Sequence, residues 1–286
     1  MLGASLSFAV VVASSKLLGQ AYDTSQQVFF RNLTGVVFIA ASLMRRPPEA
    51  KKGGKPLLLI SRGVIGTFSL YLLFYSISTL GVARAVTYQY TYPLLMALFT
   101  LLLYAEKPSR REIAAIVIGI AGVWLIFRPD MNMPVRNHLL GLGNALLTTF
   151  AYLAIKELSF YYDSRLIVMS FMLSGILIPV LSFFGGMFFL WEELDFLLGH
   201  FRWPENGSDW LLFALLGLSA LLGQVMMTNA FALGKVNQVA PIGYTNILFS
   251  TLFGILLGEA LPETPVVLGM LLIMAGGILI TAFPKN

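Results

Sequence analysis

The segment Lys16–Val37, KLLGQAYDTSQQVFFRNLTGVV, is repeated 140 positions later as Lys156–Leu177, KELSFYYDSRLIVMSFMLSGIL. The two copies align without a gap, and seven of their 22 positions are identical. A repeat of this length in an apolar chain indicates a duplicated membrane domain. When each copy has an odd number of spans, the copies lie in opposite orientations in the membrane. The identical pairs are Lys16/Lys156, Leu18/Leu158, Tyr22/Tyr162, Asp23/Asp163, Val28/Val168, Leu33/Leu173 and Gly35/Gly175.

The composition is that of a membrane protein. Of the 286 residues, 57% are hydrophobic and 12% are charged, and the mean hydropathy is +0.80, whereas about a quarter of a soluble domain is charged. The sequence has no cysteine, which excludes disulfides, thiol catalysis and thiolate metal sites. Its two histidines, His138 and His200, fall in predicted loops and do not indicate a metal centre. We therefore expect no cofactor and no metal.

Ten apolar segments are each close to the roughly 20 residues that a helix needs to cross the hydrocarbon. The first begins at Met1 without a basic segment or cleavage site, so we interpret it as a span rather than a signal peptide. The prediction is an all-α integral membrane protein with two inverted five-helix repeats, residues 1–130 and 137–286. The predicted spans are 2–20, 24–44, 57–79, 82–104, 111–128, 139–158, 165–190, 210–233, 237–257 and 265–283.

Basic residues are distributed unequally over the predicted loops. With the N-terminus inside, twelve fall at the cytoplasmic ends and four at the outer ends, which is a clear positive-inside bias. We therefore predict a multi-pass protein of the plasma (inner) membrane with both termini cytoplasmic, and no nucleic-acid partner. The inner set is Arg45, Arg46, Lys51, Lys52, Lys55, Arg62, Lys107, Arg110, Arg111, Arg165, Lys235 and Lys285, and the outer set is Arg84, Arg128, Arg136 and Arg202.

A weaker alignment relates the ends of the two halves. Gly81–Glu106 aligns without a gap with Gly234–Glu259, with few identical letters. Both copies end in a glutamate and then start a closing helix at a capping signal. We expect the two glutamates to pair with helix ends rather than to couple protons. The caps are Ser109 with Glu112 and Thr264 with Pro265, and Ala121-Gly122 corresponds to Ala275-Gly276.

In these features the chain resembles the EamA-like, ten-helix branch of the drug/metabolite transporter (DMT) superfamily. The resemblance rests on the duplicated unit, the FFRNLTG segment, the Gly-to-Glu pattern of spans 4 and 9, and the closing helices IVIGIAGVWLIF and MLLIMAGGILI. It implies a basket of ten helices with both termini cytoplasmic. It also implies a central cavity lined by spans 1, 3, 4, 6, 8 and 9, and transport of a small polar or amphipathic metabolite.

Three basic residues of the repeat are candidate gate or charge sites. Arg31 lies within a span, where an unpaired charge costs at least ~2.5–3.5 kcal/mol, and we expect Asp23 or a backbone carbonyl as its partner. Arg31 either binds a substrate carboxylate or takes part in a gate, or it is a structural lock between two spans. Lys16 and Lys156 lie near helix ends, where snorkelling to the interface competes with a role in transport. The second copy has Phe171 where the first has Arg31.

A band of tyrosine and amide residues runs through the middle of several spans. Such groups are costly in the bilayer unless they face a wet cavity or pair with one another across helices. Pro93, Pro241 and Gly243 are expected to loosen the helices at the same depth. We predict that the band lines a substrate cavity, with interhelical hydrogen bonding as the alternative. The predicted substrate-binding residues are Tyr71, Tyr75, Tyr90, Thr91, Gln224, Asn229, Tyr244 and Asn246.

The leading hypothesis is therefore a secondary transporter, not an enzyme, that moves an amino acid or related metabolite by alternating access. A lipid-carrier flippase of the same superfamily is the alternative within the class. An integral-membrane lipid-modifying enzyme is the alternative from another class, and it lacks an evident catalytic set. The expected partners are a small-molecule substrate and the lipid bilayer, and both a monomer and a homodimer stay open.

Overall fold

The computed structural model describes residues 1–49, 51–104, 110–127, 134–188, 194–233 and 242–282, and these form an all-α bundle. Apolar side chains cover much of its outer face, including Leu57, Trp124 and Leu181, as expected of a surface in contact with lipid. The helices are α1 Leu2–Leu18, α2 Thr24–Arg45, α3 Pro56–Leu80, α4 Val82–Gln89, α5 Tyr92–Tyr104, α6 Arg110–Phe127, α7 Val135–Leu158, α8 Ser164–Phe188, α9 Gly207–Leu233, α10 Thr245–Leu256 and α11 Thr264–Ala282.

Five of the described helices are long and apolar enough to cross a membrane by length and composition. These are α2, α3, α7, α8 and most of α9. Four shorter apolar helices in the described part of the chain, α1, α10 and most of α6 and α11, match predicted spans 1, 9, 5 and 10. The predicted class of an all-α membrane protein is confirmed.

The predicted fourth span, 82–104, is interrupted close to Pro93, where we expected the helix to be loosened. It is divided at Tyr90 and Thr91 into α4 and α5, and Pro93 is the second residue of α5. Proline favours the start of a helix and disfavours the helical conformation in the residue before it. In the second half a turn at Tyr244, the residue aligned with Thr91, precedes α10. The break therefore occurs at equivalent positions, while Pro241 lies outside the described residues.

The contacts between the two halves occur in pairs related by the repeat. Helix α3 packs on α7 as α9 packs on α1, and α3 packs on α8 as α9 packs on α2. The broken pair α4 and α5 contacts α7 as α10 contacts α1. Equivalent helices also pack directly on each other, α2 on α8 and α6 on α11. This pattern fits two inverted repeats that face each other.

Glycines let the equivalent helices approach closely. A Cβ atom added at Gly35 would lie 2.3 Å from Met172 Sδ, and one at Gly175 would lie 2.2 Å from Asn32 Nδ2. Met172 and Asn32 are themselves equivalent positions of the repeat. Small residues at such crossings allow the close backbone packing that holds membrane helices together. The glycine pair identified in the sequence thus lies at the centre of the α2–α8 crossing.

The aspartate of the repeated Tyr-Asp pair joins each half to a loop of the other half by a hydrogen bond. The Asp23 carboxylate accepts a 2.8 Å hydrogen bond from the His200 backbone N–H, and Asp163 accepts one of 2.9 Å from the Glu49 N–H. Arg165 also binds the Asp163 carboxylate at 2.8 Å, and this hydrogen bond lowers the pKa of Asp163 to about 2. The two aspartates lie at opposite ends of the bundle. Arg31, for which we expected Asp23 or a backbone carbonyl as partner, instead donates to Asn32 Oδ1 among the described residues.

The α6–α11 crossing yields a prediction about packing. A Cβ atom at Gly122 would lie 2.8 Å from the Gly269 carbonyl oxygen, and one at Gly276 would lie 2.8 Å from the Ala115 carbonyl oxygen. Because backbone atoms cannot move aside as a side chain can, Gly122→Ala and Gly276→Ala should each destabilise the protein by about 1–3 kcal/mol. Thermal unfolding of the purified variants in detergent measures this loss.

Gly207→Ala is the control for this experiment, because nothing lies within 4 Å of a Cβ at that position. It should unfold at the temperature of the unsubstituted protein. Identical unfolding temperatures for all three variants would contradict the close crossing of α6 and α11.

Candidate functional site

A cavity lies at the centre of the bundle, between the two halves. Its volume is about 60 Å³. This is room for roughly four to six water molecules at about 10–15 Å³ each. Its walls come from α1, α2, α3, the α4–α5 break, α7, α8, α9 and α10. Helices α2 and α8 are additions to the six spans that the resemblance implied. The lining residues are Phe8, Val11, Val12, Arg31, Arg62, Gly66, Ser69, Leu70, Leu73, Gln89, Tyr90, Tyr92, Thr148, Ala151, Tyr152, Phe171, Gln224 and Asn246.

Two buried arginines dominate the charge of this cavity. Arg31 on α2 is 3% exposed and Arg62 on α3 is 2% exposed. Their Cζ atoms lie 5.4 Å and 4.2 Å from the centre of the Phe171 ring, within the range of a cation–π interaction. Arg31 Nη1 also donates a 3.0 Å hydrogen bond to Asn32 Oδ1. Phe171, the residue that replaces arginine in the second repeat, is thus the neutral surface on which both guanidinium groups rest.

The guanidinium groups keep unused hydrogen-bond donors. Among the described residues, Arg31 Nε and the Nε and Nη1 atoms of Arg62 have no hydrogen-bond partner. In the same part of the chain no carboxylate lies within 4.0 Å of either group. A buried arginine is normally hydrogen-bonded and paired, because removing its charge from water costs several kcal/mol. The cavity wall therefore carries two positive charges, and three of their buried N–H donors have no partner among the described residues.

The assignment of Arg62 to the cytoplasmic loops is wrong. It lies six residues after the first residue of α3, about 9 Å along the helix axis at 1.5 Å per residue. A signal was present, because Arg62 falls inside the apolar segment predicted as span 3, and a charge within a span marks a functional site by default. We had instead counted Arg62 among the cytoplasmic basic residues that determine the orientation in the membrane.

Neutral polar groups and tyrosines form the other walls. On α10, Asn246 Nδ2 donates to the Ser5 carbonyl oxygen at 2.7 Å, and on α9 Gln224 Nε2 lies 3.4 Å from Thr228 Oγ1. Ser69 on α3 and Thr148 on α7 share a 2.7 Å hydrogen bond.

Tyr152 on α7 packs edge-on against Tyr92, with ring centres 4.9 Å apart, and interacts electrostatically with both arginines. Tyr152, Ser69 and Thr148 were not identified from the sequence, because the first repeat carries Val12 at the position of Tyr152 and each residue alone resembles ordinary helix packing.

Four of the residues predicted for the site lie together at the cavity, namely Arg31, Tyr90, Gln224 and Asn246. Two other predicted residues are buried but do not line the cavity, and of the two only the Tyr71 hydroxyl has a hydrogen-bond partner among the described residues. Tyr71 is fully buried and shares a 2.9 Å hydrogen bond with Ser182 on α8. The Tyr244 ring lies 6.1 Å from that of Tyr90, behind the cavity wall, and its hydroxyl lies against Gly277. The polar band therefore contains residues that line the cavity and residues that pack behind them.

The structure does not bring the remaining tyrosine and amide candidates to the cavity. Tyr75 donates a 2.9 Å hydrogen bond to Asp195, which also pairs with Arg136 at the predicted outer end. Thr91 donates to the Tyr88 carbonyl oxygen within the helix break. Asn229 lines a separate groove beside Asp163, at the predicted cytoplasmic end.

Lys16 and Lys156 have different environments despite their equivalent positions. Lys16 Nζ binds Glu259 Oε1 at 2.6 Å, and the Glu259 carboxylate also accepts the N–H of Val82, the first residue of α4, at 3.0 and 3.2 Å. A carboxylate is favoured at a helix N-terminus by the helix dipole. Lys156 is exposed, with Nζ 5.8 Å from the Phe160 ring centre. Glu106 lies outside the described residues.

Known proteins similar to this chain are transporters by name. The model of the EamA-like transporter family matches residues 1–128. An uncharacterized transporter of Helicobacter pylori strain J99 is 29% identical over 280 residues, covering 97% of this chain and 91% of the relative. The pseudopaline exporter CntI of Pseudomonas aeruginosa is 26% identical over 284 residues, covering 99% and 95%. Human solute carrier family 35 member G1 is 24% identical over 256 residues, covering 85% and 67%.

A solved crystal structure shares the fold, with a TM-score of 0.63 at 19% identity, and the match covers 97% of this chain and 95% of that one. The helical bundle, its central cavity and the full-length relatives together define a multi-pass membrane transporter. Residues 1–128 match the EamA-like transporter family, and the two bacterial relatives align with 97% and 99% of the chain, in agreement with the resemblance seen in the sequence.

The Lys16–Glu259 ion pair should contribute measurably to stability. Its side chains are 17% and 20% exposed, so water screens the pair less than it screens a surface pair. We expect a double-mutant cycle of Lys16→Met and Glu259→Gln to give a coupling energy of about 0.5–3 kcal/mol. Unfolding of the four proteins in detergent provides the measurement.

The Lys55–Glu157 pair is the matched comparison, because it has similar geometry at 2.5 Å but side chains that are 38% and 47% exposed. Its cycle should give a smaller coupling energy, because water screens an exposed pair. The prediction is contradicted if the coupling energy of Lys16 and Glu259 is no larger than that of the exposed pair. The ion pair would then not stabilise the position of α1.

Proposed function

We propose that this protein is a secondary transporter that moves a small polar or amphipathic metabolite, such as an amino acid or related compound, through the central cavity by alternating access. The observation that carries the proposal is the cavity itself, which lies between the two halves, takes residues from both and includes polar and charged side chains in a largely apolar wall. Inverted halves around a central site are a common architecture of secondary transporters. Movement of one half relative to the other would then expose the site to each side of the membrane in turn.

The size of the cavity supports a conformational change during transport. Space for a few waters is too small for an organic metabolite, since pockets for such ligands are typically ~300–1,000 Å³. Much of the wall is aromatic, including Tyr90, Tyr92 and Phe171. Substrate entry therefore requires these walls to separate. The helix breaks at Tyr90–Thr91 and at Tyr244 are places where the helices can bend.

Contacts at the predicted outer end support a closed arrangement on that side. The Lys16–Glu259 pair and the bond from Val82 join α1 and α4 to the end of α10. The Arg84–Glu263 pair, at 3.8 Å, lies beside them. These bonds cross between the two halves, so they must break when that end opens. Ion pairs near the surface are weak enough to exchange for water during a transport cycle.

The membrane and orientation follow from charge. We propose the inner membrane of a bacterium, with both termini and the basic 46–55 loop in the cytoplasm. The name of the Pseudomonas relative, an exporter of pseudopaline, supports a small organic solute as cargo. The relatives' names also favour transport over the lipid-modifying enzyme considered from the sequence.

Reconstituted protein provides the test. Proteoliposomes loaded with a mixture of isotope-labelled amino acids and organic acids should lose at least one compound faster than protein-free liposomes, as measured by mass spectrometry of the external medium. Gly66→Leu should abolish that loss, because a Cβ at Gly66 already lies 3.0 Å from the Phe171 ring, so a larger side chain fills the cavity.

Gly207→Ala, whose Cβ meets nothing, should transport normally. Equal retention of every compound with and without protein would overturn the proposal. Translocation of a labelled lipid without loss of any soluble compound would favour the flippase.

A further inference from the structure

We propose that Arg31 and Arg62 form a paired guanidinium site for a carboxylate-bearing organic anion, which is the substrate class of the central cavity. The inference rests on the proposed function, because it identifies the ligand of the same site. It adds Arg62 as a binding residue that the sequence had assigned to a loop.

The first argument is electrostatic. Two guanidinium groups are almost fully removed from water, and among the described residues neither has a carboxylate partner. Like charges that share a low-dielectric cavity repel each other, and each also loses its hydration. A sequence that needed only stability would be better served by apolar side chains at these positions. An anion that enters the cavity offsets this positive charge and lowers the cost, and a dianion can neutralise both guanidinium groups.

The second argument is the available donor geometry. Arg31 Nε and Arg62 Nε and Nη1 have no partner in the described part of the chain. Each guanidinium presents N–H groups in a planar fork that matches the two oxygens of a carboxylate. Phe171 supports both groups by its ring face, which restrains their planes without using a donor. The ligand is therefore recognised through its carboxylate oxygens.

The third argument is the asymmetry of the cavity. The cations come from α2 and α3 of the first repeat, whereas the second repeat contributes Phe171, Gln224 and Asn246. A ligand in the cavity can thus meet two guanidinium groups from the first repeat and the amides Gln224 and Asn246 from the second. A carboxylate joined to a polar or amphipathic body fits this polarity, whereas an organic cation is repelled.

The binding test uses purified, detergent-solubilised protein and four probes, namely succinate, glutamate, inorganic phosphate and choline, at constant ionic strength. Succinate or glutamate should raise the unfolding temperature, and choline should leave it unchanged. Arg31→Gln and Arg62→Gln should each weaken carboxylate binding by roughly 10- to 100-fold, as expected for lost hydrogen bonds to a charged group. Lys55→Gln, which removes an exposed cation at a helix end, should bind like the unsubstituted protein.

A second measurement separates a binding role from a structural one. If Arg62 is held for ligand binding, Arg62→Leu should raise the unfolding temperature of the ligand-free protein while abolishing the response to succinate and glutamate. A structural lock between helices predicts the opposite sign, a lower unfolding temperature. Three results would overturn the inference. They are a lower unfolding temperature of the Arg62→Leu variant, stabilisation by phosphate but by neither carboxylate, and a response to succinate or glutamate that survives Arg62→Leu.

These outcomes are independent of the transport assay. Carboxylate binding without any release from proteoliposomes would preserve the site and refute the transporter mechanism. Release of only neutral or cationic compounds would preserve the transporter and refute the anion site.

Discussion

The close crossing of α2 and α8 determines where the rest of the molecule can lie. Gly35 leaves room for the Met172 side chain and Gly175 for the Asn32 side chain, so these equivalent helices can pack closely. Because the crossing occurs at equivalent points of an inverted repeat, the helices that follow are also placed in pairs, α3 beside α7 and α9 beside α1. The space enclosed by those pairs is the cavity. A shift of one helical turn at the crossing would separate Arg31 from Phe171 and from Arg62.

The same symmetry makes the departures from it informative. The repeated aspartates do the same work at opposite ends of the bundle, since each accepts an N–H group from a loop of the other half. In the cavity the equivalence ends, because Arg31 faces Phe171 rather than a second arginine. A symmetric framework allows two similar conformations of the whole protein, whereas an asymmetric lining gives one ligand a defined orientation within it.

The sequence was sufficient to predict the helical class, the positions of most spans and the duplication, because these follow from apolar length and from the repeat itself. Of the eight residues predicted to bind substrate, Tyr90, Gln224 and Asn246 line the cavity, and so does Arg31, which was predicted as a gate or charge site. The sequence could not distinguish lining residues from supporting ones. Tyr71 and Tyr75 lie on one face of α3, yet the hydroxyl of one reaches Ser182 and that of the other reaches Asp195 on a loop distant in sequence. Such pairings depend on tertiary contacts that no local pattern encodes.

Alternating exposure of the central cavity is the central claim, and the absence of native cysteines permits a direct measurement. Ser69→Cys places a single thiol in the cavity wall, and Leu181→Cys places one on the lipid-facing side of α8. The rate of reaction with a small, charged, membrane-impermeant thiol reagent is measured in right-side-out and in inside-out membrane vesicles. The account predicts that the thiol at position 69 reacts from both sides and the thiol at position 181 from neither. Reaction at position 69 from one side only, under every substrate condition, would contradict it.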